Sequence, residues 1–221
     1  MKLGNIMIFG DSYSTYAGYI PDGFAVYYSG HRENQPDVYD VKNTWWGRLL
    51  LATESTLVQN NSWSGSTIGY TGYNNSDCSH SSSFIYRFEK LVGENFFENN
   101  KIDTLFVFGG TNDSWSNAPL GELKYDDIEE NDLFSVLPAI SHFAKRLHGV
   151  LKNTRIVFIG NCDIKLEITE TMKLVCERYG FEYVALSNVE KISGHPTENG
   201  MKEITEQVLK SLASKGESLC Q

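Results

Sequence analysis

Five short apolar runs alternate along this chain with five longer amphipathic stretches, and that alternation restricts the fold more than any other feature. The runs cover residues 6–9, 56–59, 104–108, 155–159 and 182–186. The stretches cover residues 44–52, 83–97, 133–151, 166–179 and 199–212. Strands joined by helical connections of this length run parallel, and the helices cover the sheet they join. The runs at 6–9 and 104–108 are apolar at successive positions, so both of their faces are expected to be buried, as in central parallel strands. The expected fold class is therefore α/β with a doubly wound parallel sheet. With no internal repeat or Pro/Gly-rich linker, residues 1–221 are read as one domain, a length that suits a full-sized core.

Charge and cysteine content narrow the partners. A formal net charge of −9 argues against nucleic acid and against a basic membrane-surface patch. No apolar run approaches the roughly 20 residues of a membrane span. No basic segment with an apolar core precedes the first strand, so a cytoplasmic location is expected unless a leader has been removed. Cys78, Cys162, Cys176 and Cys220 form no Cys-x-x-Cys pair and read as free thiols. His31, His80, His142 and His148 have no ligand spacing, and the acidic run from Asp126 to Asp132 lacks the glycine of a calcium loop. No metal and no organic cofactor is expected. Oligomeric state is not legible.

Two long segments break the strand–helix rhythm. Residues 13–40 and 63–80 are rich in Tyr and Trp set among Gly, Asn, Ser and Asp. Each follows a strand, so each belongs at the C-terminal edge of the sheet, where open α/β folds bind ligands. Aromatic walls mixed with a few polar groups suit a sugar better than a long acyl chain. Tyr13, Trp63, Tyr70 and Trp115 are the expected substrate-facing residues.

Four segments converge on that edge. The first strand stops at Gly10-Asp11-Ser12, which presents a hydroxyl on a tight turn. Asn60 to Thr67 follows the second strand, Gly109-Gly110-Thr111-Asn112-Asp113 the third, and Gly194-His195-Pro196 precedes the last helix. A serine hydroxyl is a poor nucleophile until an imidazole takes its proton, and His195 is the base on offer. A tetrahedral intermediate needs donors at its oxyanion: the Ser12 and Gly65 amides and the Asn112 side chain. Asp11 and Asp113 read as turn-bracing residues.

These four blocks, in this order and across most of the chain, resemble the SGNH/GDSL hydrolases. The resemblance implies a three-layer α/β/α, flavodoxin-like fold with a central five-stranded parallel sheet in the order 2-1-3-4-5. It also implies ester hydrolysis through Ser12 and His195, with Ser12, Gly65 and Asn112 lining an oxyanion hole. Members generally carry Asp three residues before the histidine, but here that position is Ile192. The expected substitute is the Ile192 backbone carbonyl, with Glu190, Glu198 and Asp163 as alternatives. The function expected is a serine esterase removing small acyl groups, acetyl above all, from a small-molecule or carbohydrate ester. The alternatives are a lysophospholipase or thioesterase on longer chains, and a non-catalytic glycan-binding protein on a hydrolase scaffold.

Overall fold

The computed structural model describes residues 1–30 and 36–218; His31 and Cys220 lie outside the described residues. The sheet is built from β1 (Asn5–Gly10), β2 (Thr56–Ser62), β3 (Thr104–Phe108), β4 (Arg155–Gly160) and β5 (Glu182–Ala185). The strands are all parallel, in the order β2-β1-β3-β4-β5, as expected. Strand side chains alternate between two cores. Met7, Phe9, Leu105, Val107, Ile156 and Phe158 pack beneath α2 (Phe84–Gly93), α5 (Val136–Val150) and α6 (Leu166–Tyr179). Ile6, Ile8, Phe106, Phe108, Val157 and Ile159 pack beneath α1 (Trp45–Thr53) and α7 (Glu198–Ser218). The period-two geometry of a strand makes this division unavoidable once helices cover both faces.

Several boundaries differ from the sequence reading, and three of the differences have a clear physical cause. The single helix expected over 83–97 is two, because the chain turns left-handed at Asn95 (φ 55°) between α2 and α3 (Phe96–Asn99). The helix expected over 133–151 begins only at Val136, after a 3-10 turn over Glu130–Phe134 and an extended Ser135. β2 runs on to Ser62 through polar Asn60 and Asn61, whose side chains are held by the fold: Asn60 Nδ2 donates to the Ser14 carbonyl at 2.7 Å, and Asn61 is gripped by Arg87.

Trp45 and Trp46 are both buried. Their indole N–H groups donate to Ser14, one to the hydroxyl at 3.1 Å and one to the carbonyl at 2.9 Å. Buried indoles need such partners, and here they anchor the turn that follows β1. After β5, a two-stranded antiparallel ribbon of β6 (Lys191–Ile192) and β7 (His195–Pro196) leads into α7.

Candidate active site

The site lies where the strand order reverses. β1 connects outward to β2 on one side and the chain then returns to β3 on the other, so the loops after β1 and β3 leave a crevice between them. Ser12 opens a one-turn 3-10 helix directly after β1, and the Asp11 carboxylate accepts the Tyr13 amide at 3.0 Å to hold that turn. Asn112 stands in α4 (Thr111–Trp115), directly after β3.

His195 arrives from the opposite direction on the β6–β7 hairpin. Ser193 (φ 49°) and Gly194 (φ 80°) both take positive φ, as a type I′ turn requires. A glycine at 194 is required twice over, since a Cβ there would meet the Trp115 ring at 2.9 Å. The hairpin brings His195 Nε2 to 3.1 Å from Ser12 Oγ, and both residues are almost wholly buried.

The orienting partner of the imidazole is the Ser193 carbonyl, 3.2 Å from Nδ1, and not the Ile192 carbonyl expected from sequence. Ile192 is the residue paired across the hairpin from His195, whereas the left-handed turn at Ser193 brings that residue's carbonyl to the ring. A carbonyl can only accept, so Nδ1 carries the proton, and Nε2 is left to accept from the Ser12 hydroxyl. The three carboxylates considered as alternatives are engaged elsewhere. Glu190 accepts from Thr197 at 2.6 Å, Glu198 from Arg48 at 2.9 Å, and Asp163 from Lys191 at 2.6 Å. Burial depresses the His195 pKa below its ordinary value; the Ser193 hydrogen bond opposes this and the Lys191 charge adds to it.

The donor side of the crevice is assembled from two further loops. Gly65 adopts φ 78°, a conformation that favours glycine, on the loop after β2. The Asn112 amide is fixed at both ends: Nδ2 donates to the Ser66 carbonyl at 3.0 Å, and Tyr73 Oη donates to Oδ1 at 2.9 Å. One N–H of Nδ2 is thereby left to point elsewhere. Asp113 accepts from the Ile68 and Gly69 amides, tying the loop after β3 to the loop after β2. Burial pushes the Asp113 carboxyl up to about 6 and the Asp11 carboxyl up to about 7.

The aromatic residues expected to face substrate divide. Trp115 is partly exposed beside His195, with centroids 6.1 Å apart. Trp63 packs against Phe24 in a tilted arrangement, centroids 5.0 Å apart, and lines a groove of about 360 Å³ with Tyr19, Gln59, Asn60 and Asn61. Tyr13 is wholly buried and donates to the Gly194 carbonyl at 2.6 Å, so it braces the hairpin and does not face a ligand. Tyr70 packs on Phe134 at 5.5 Å against the hydrophobic core, because its strand-like neighbours dock on the segment before α5.

Sequence reasoning missed Arg87, Tyr73 and the stacking of Tyr27 on His195. Tyr73 and Tyr27 stood undistinguished among loop tyrosines. Arg87 did carry a signal: it is a lone charge on the apolar face of α2, between Phe84, Phe88 and Leu91. It is 1% exposed and donates to Ser82 O, Asn61 O, Asn61 Oδ1, Gly10 O and Ser66 Oγ. The guanidinium also lies over the rings of Phe9, Trp63 and Phe84, at 4.6 to 5.0 Å.

Known proteins bear on this geometry. The sequence signature of the GDSL-like lipase/acylhydrolase family matches residues 4–212. A protein assigned as a GDSL-like lipase from Bacteroides ovatus ATCC 8483 superimposes with a TM-score of 0.87 at 37% identity, over 97% of this chain and 100% of that one. Its counterpart from Bacteroides uniformis ATCC 8492 gives 0.85 at 37% identity, over 96% of each chain. A family two carbohydrate esterase from Cellvibrio japonicus shares the fold, with a TM-score of 0.60 at 13% identity, over 96% of this chain and 62% of that one. No curated protein matches the sequence.

Proposed function

The chain belongs to the GDSL-like lipase/acylhydrolase family, and from that premise we propose that it is a serine esterase that removes small acyl groups, acetyl first, from a carbohydrate alcohol. The observation that carries this reading is the 3.1 Å approach of His195 Nε2 to Ser12 Oγ, with the imidazole held in the accepting tautomer. Ser12 Oγ attacks the ester carbonyl while its proton passes to Nε2. The carbonyl oxygen takes up the displaced electron pair and is met by the Ser12 and Gly65 amides and the free N–H of Asn112. His195 then gives the proton to the leaving alcohol. Water repeats both steps on the acyl-enzyme, with His195 again the base.

The groove beside Trp63 supports a sugar as the alcohol, since it offers Trp63 and Tyr19 as ring faces and Gln59 as an amide. The fold it shares with a carbohydrate esterase is compatible with this substrate class. The test is hydrolysis of p-nitrophenyl esters from acetate to octanoate, followed by acetylated sugars. A maximum rate at acetate with release of acetate from the sugars is expected. A maximum at octanoate replaces this reading with the longer-chain one, and no turnover at any length favours glycan binding without catalysis.

Asn112→Ala removes one oxyanion donor while leaving Ser12 and His195 in place. It is expected to lower kcat for p-nitrophenyl acetate by about 10²–10³-fold with little change in KM, the usual effect of such a deletion. A KM rise with kcat intact would assign Asn112 to ground-state binding instead.

A further inference from the structure

Where a buried carboxylate stabilises the catalytic imidazolium in other serine hydrolases, this chain has only a neutral carbonyl. Something else must keep the ring in place and meet its charge. The surroundings of His195 offer one group suited to both. The Tyr27 ring lies parallel to the imidazole, with centroids 3.7 Å apart and planes 20° from each other. Tyr13, Trp115 and Tyr28 surround the same ring at 5.7, 6.1 and 6.4 Å, and all three are tilted or edge-on.

Tyr27 is delivered by a surface loop closed at its neck, where the Ala17 amide donates to the Tyr28 carbonyl at 2.9 Å. The loop is pinned along its length, by Phe24 against Trp63 and by the Ser64 hydroxyl donating to the Ala25 carbonyl at 2.6 Å. The stacked ring is therefore held by its loop and not by the imidazole alone.

We propose that Tyr27 is a positioning residue that takes over the part played elsewhere by the triad carboxylate: its π face fixes the plane of His195 and stabilises the imidazolium formed when Ser12 gives up its proton. A ring face attracts a cation most strongly where water is excluded, and His195 is 6% exposed. The inference rests on the esterase reading for its kinetic consequence but not for its electrostatic one.

The charged group acting on His195 is Lys191, whose ammonium is held by Asp163 and lies over the Tyr13 ring at 5.3 Å. The titratable neighbours are the phenols of Tyr13, Tyr27 and Tyr28 and the Asp11 carboxyl behind Ser12; burial holds the Tyr13 and Tyr28 phenols neutral. Apart from the Tyr27 phenol itself, none of these changes in Tyr27→Phe, which keeps the ring, or in Tyr27→Leu, which keeps apolar cover but removes the π face.

The test compares parent, Tyr27→Phe and Tyr27→Leu in two ways. Histidine Cε1–H titration by NMR, with the His195 signal assigned through His195→Ala, reads the ionisation directly in the free protein. The pH profile of kcat/KM with p-nitrophenyl acetate reads it in turnover, and Tm checks that each variant is folded. For the parent we expect a His195 midpoint below the ordinary value near 6.5. Tyr27→Phe should match the parent in both readouts. Tyr27→Leu should shift the midpoint down by about one pH unit, the size of a desolvated cation–π contact, and lower kcat by about 10-fold. A Leu variant equal to the parent overturns the proposal, as does a Phe variant as impaired as Leu, which would assign the role to the hydroxyl. A shifted NMR midpoint in a protein whose turnover ignores Ser12→Ala would uphold the electrostatic role and remove the esterase reading.

Discussion

Ser12→Ala is expected to lower kcat for p-nitrophenyl acetate by about 10⁴-fold or more, with KM nearly unchanged and no loss of stability. The hydroxyl is the only atom removed, and among the described residues its one hydrogen-bond partner through that atom is His195 Nε2. Turnover without it falls back on the oxyanion donors and on binding. His195→Ala should produce a loss of similar size, because a serine without its base is no better a nucleophile than any other alcohol. The double variant should be scarcely worse than either single one, since the two groups perform one proton transfer together. Kinetics on the four proteins decide the point. Losses that multiply in the double variant, or Ser12→Ala retaining a tenth of the parent rate, would mean that the 3.1 Å pair is not the reacting pair.

Arg87→Met carries the largest expected effect on stability, a loss on the order of 4 kcal/mol. The methionine would fill the volume but donate nothing. Asn61 O, Asn61 Oδ1 and Ser82 O would lose a buried donor, and the rings of Phe9, Trp63 and Phe84 would lose their cation. Burial pushes the guanidinium down to about 9, which leaves it charged at neutral pH, so the comparison is between a buried cation with five acceptors and an apolar chain with none. For a chain of this size that loss is about 10 °C in Tm. Activity should fall as well, because Gly10 and Ser66, both held by Arg87, are the residues flanking the Ser12 turn and Gly65. Arg87→Lys should recover little, since one ammonium cannot reproduce a planar fork of donors. Calorimetry or urea melts measure the effect, and a change below about 1 kcal/mol would show that water or a neighbour can replace the network.

The elements that were legible in the sequence share one property: their pattern is local. Thr104–Phe108 and Leu166–Tyr179 were read with the boundaries the structure shows, because an all-apolar run and an amphipathic helix with Gly180 just past its end declare themselves without reference to anything distant. The misreadings have the opposite character. β2 extends through Asn60 and Asn61 only because Ser14 and Arg87, far away in sequence, satisfy those amides. The break before α3 depends on a single left-handed asparagine, which helical periodicity does not register.

The site divides along the same line. Ser12, Gly65, Asn112 and His195 could be picked out because each follows or precedes a recognisable element with a residue type suited to acyl transfer. The group that orients His195 could not. Whether Ile192 or Ser193 turns its carbonyl toward Nδ1 depends on a two-residue hairpin turn, and one residue of register decides it. Nor does the sequence separate Tyr27 from the other loop tyrosines, since the 3.7 Å stack on His195 exists only after the loop closes at Ala17 and Tyr28.

Taken alone, the chain determined its class of fold, the strand order through family resemblance, and the chemical types gathered at one sheet edge, because those follow from periodicity and from short motifs. Tertiary structure decided which of the gathered groups touch. A hydrogen bond forms or fails within a few tenths of an ångström, and that precision is set by the packing of loops, hairpin and buried arginine against one another, which no local pattern encodes.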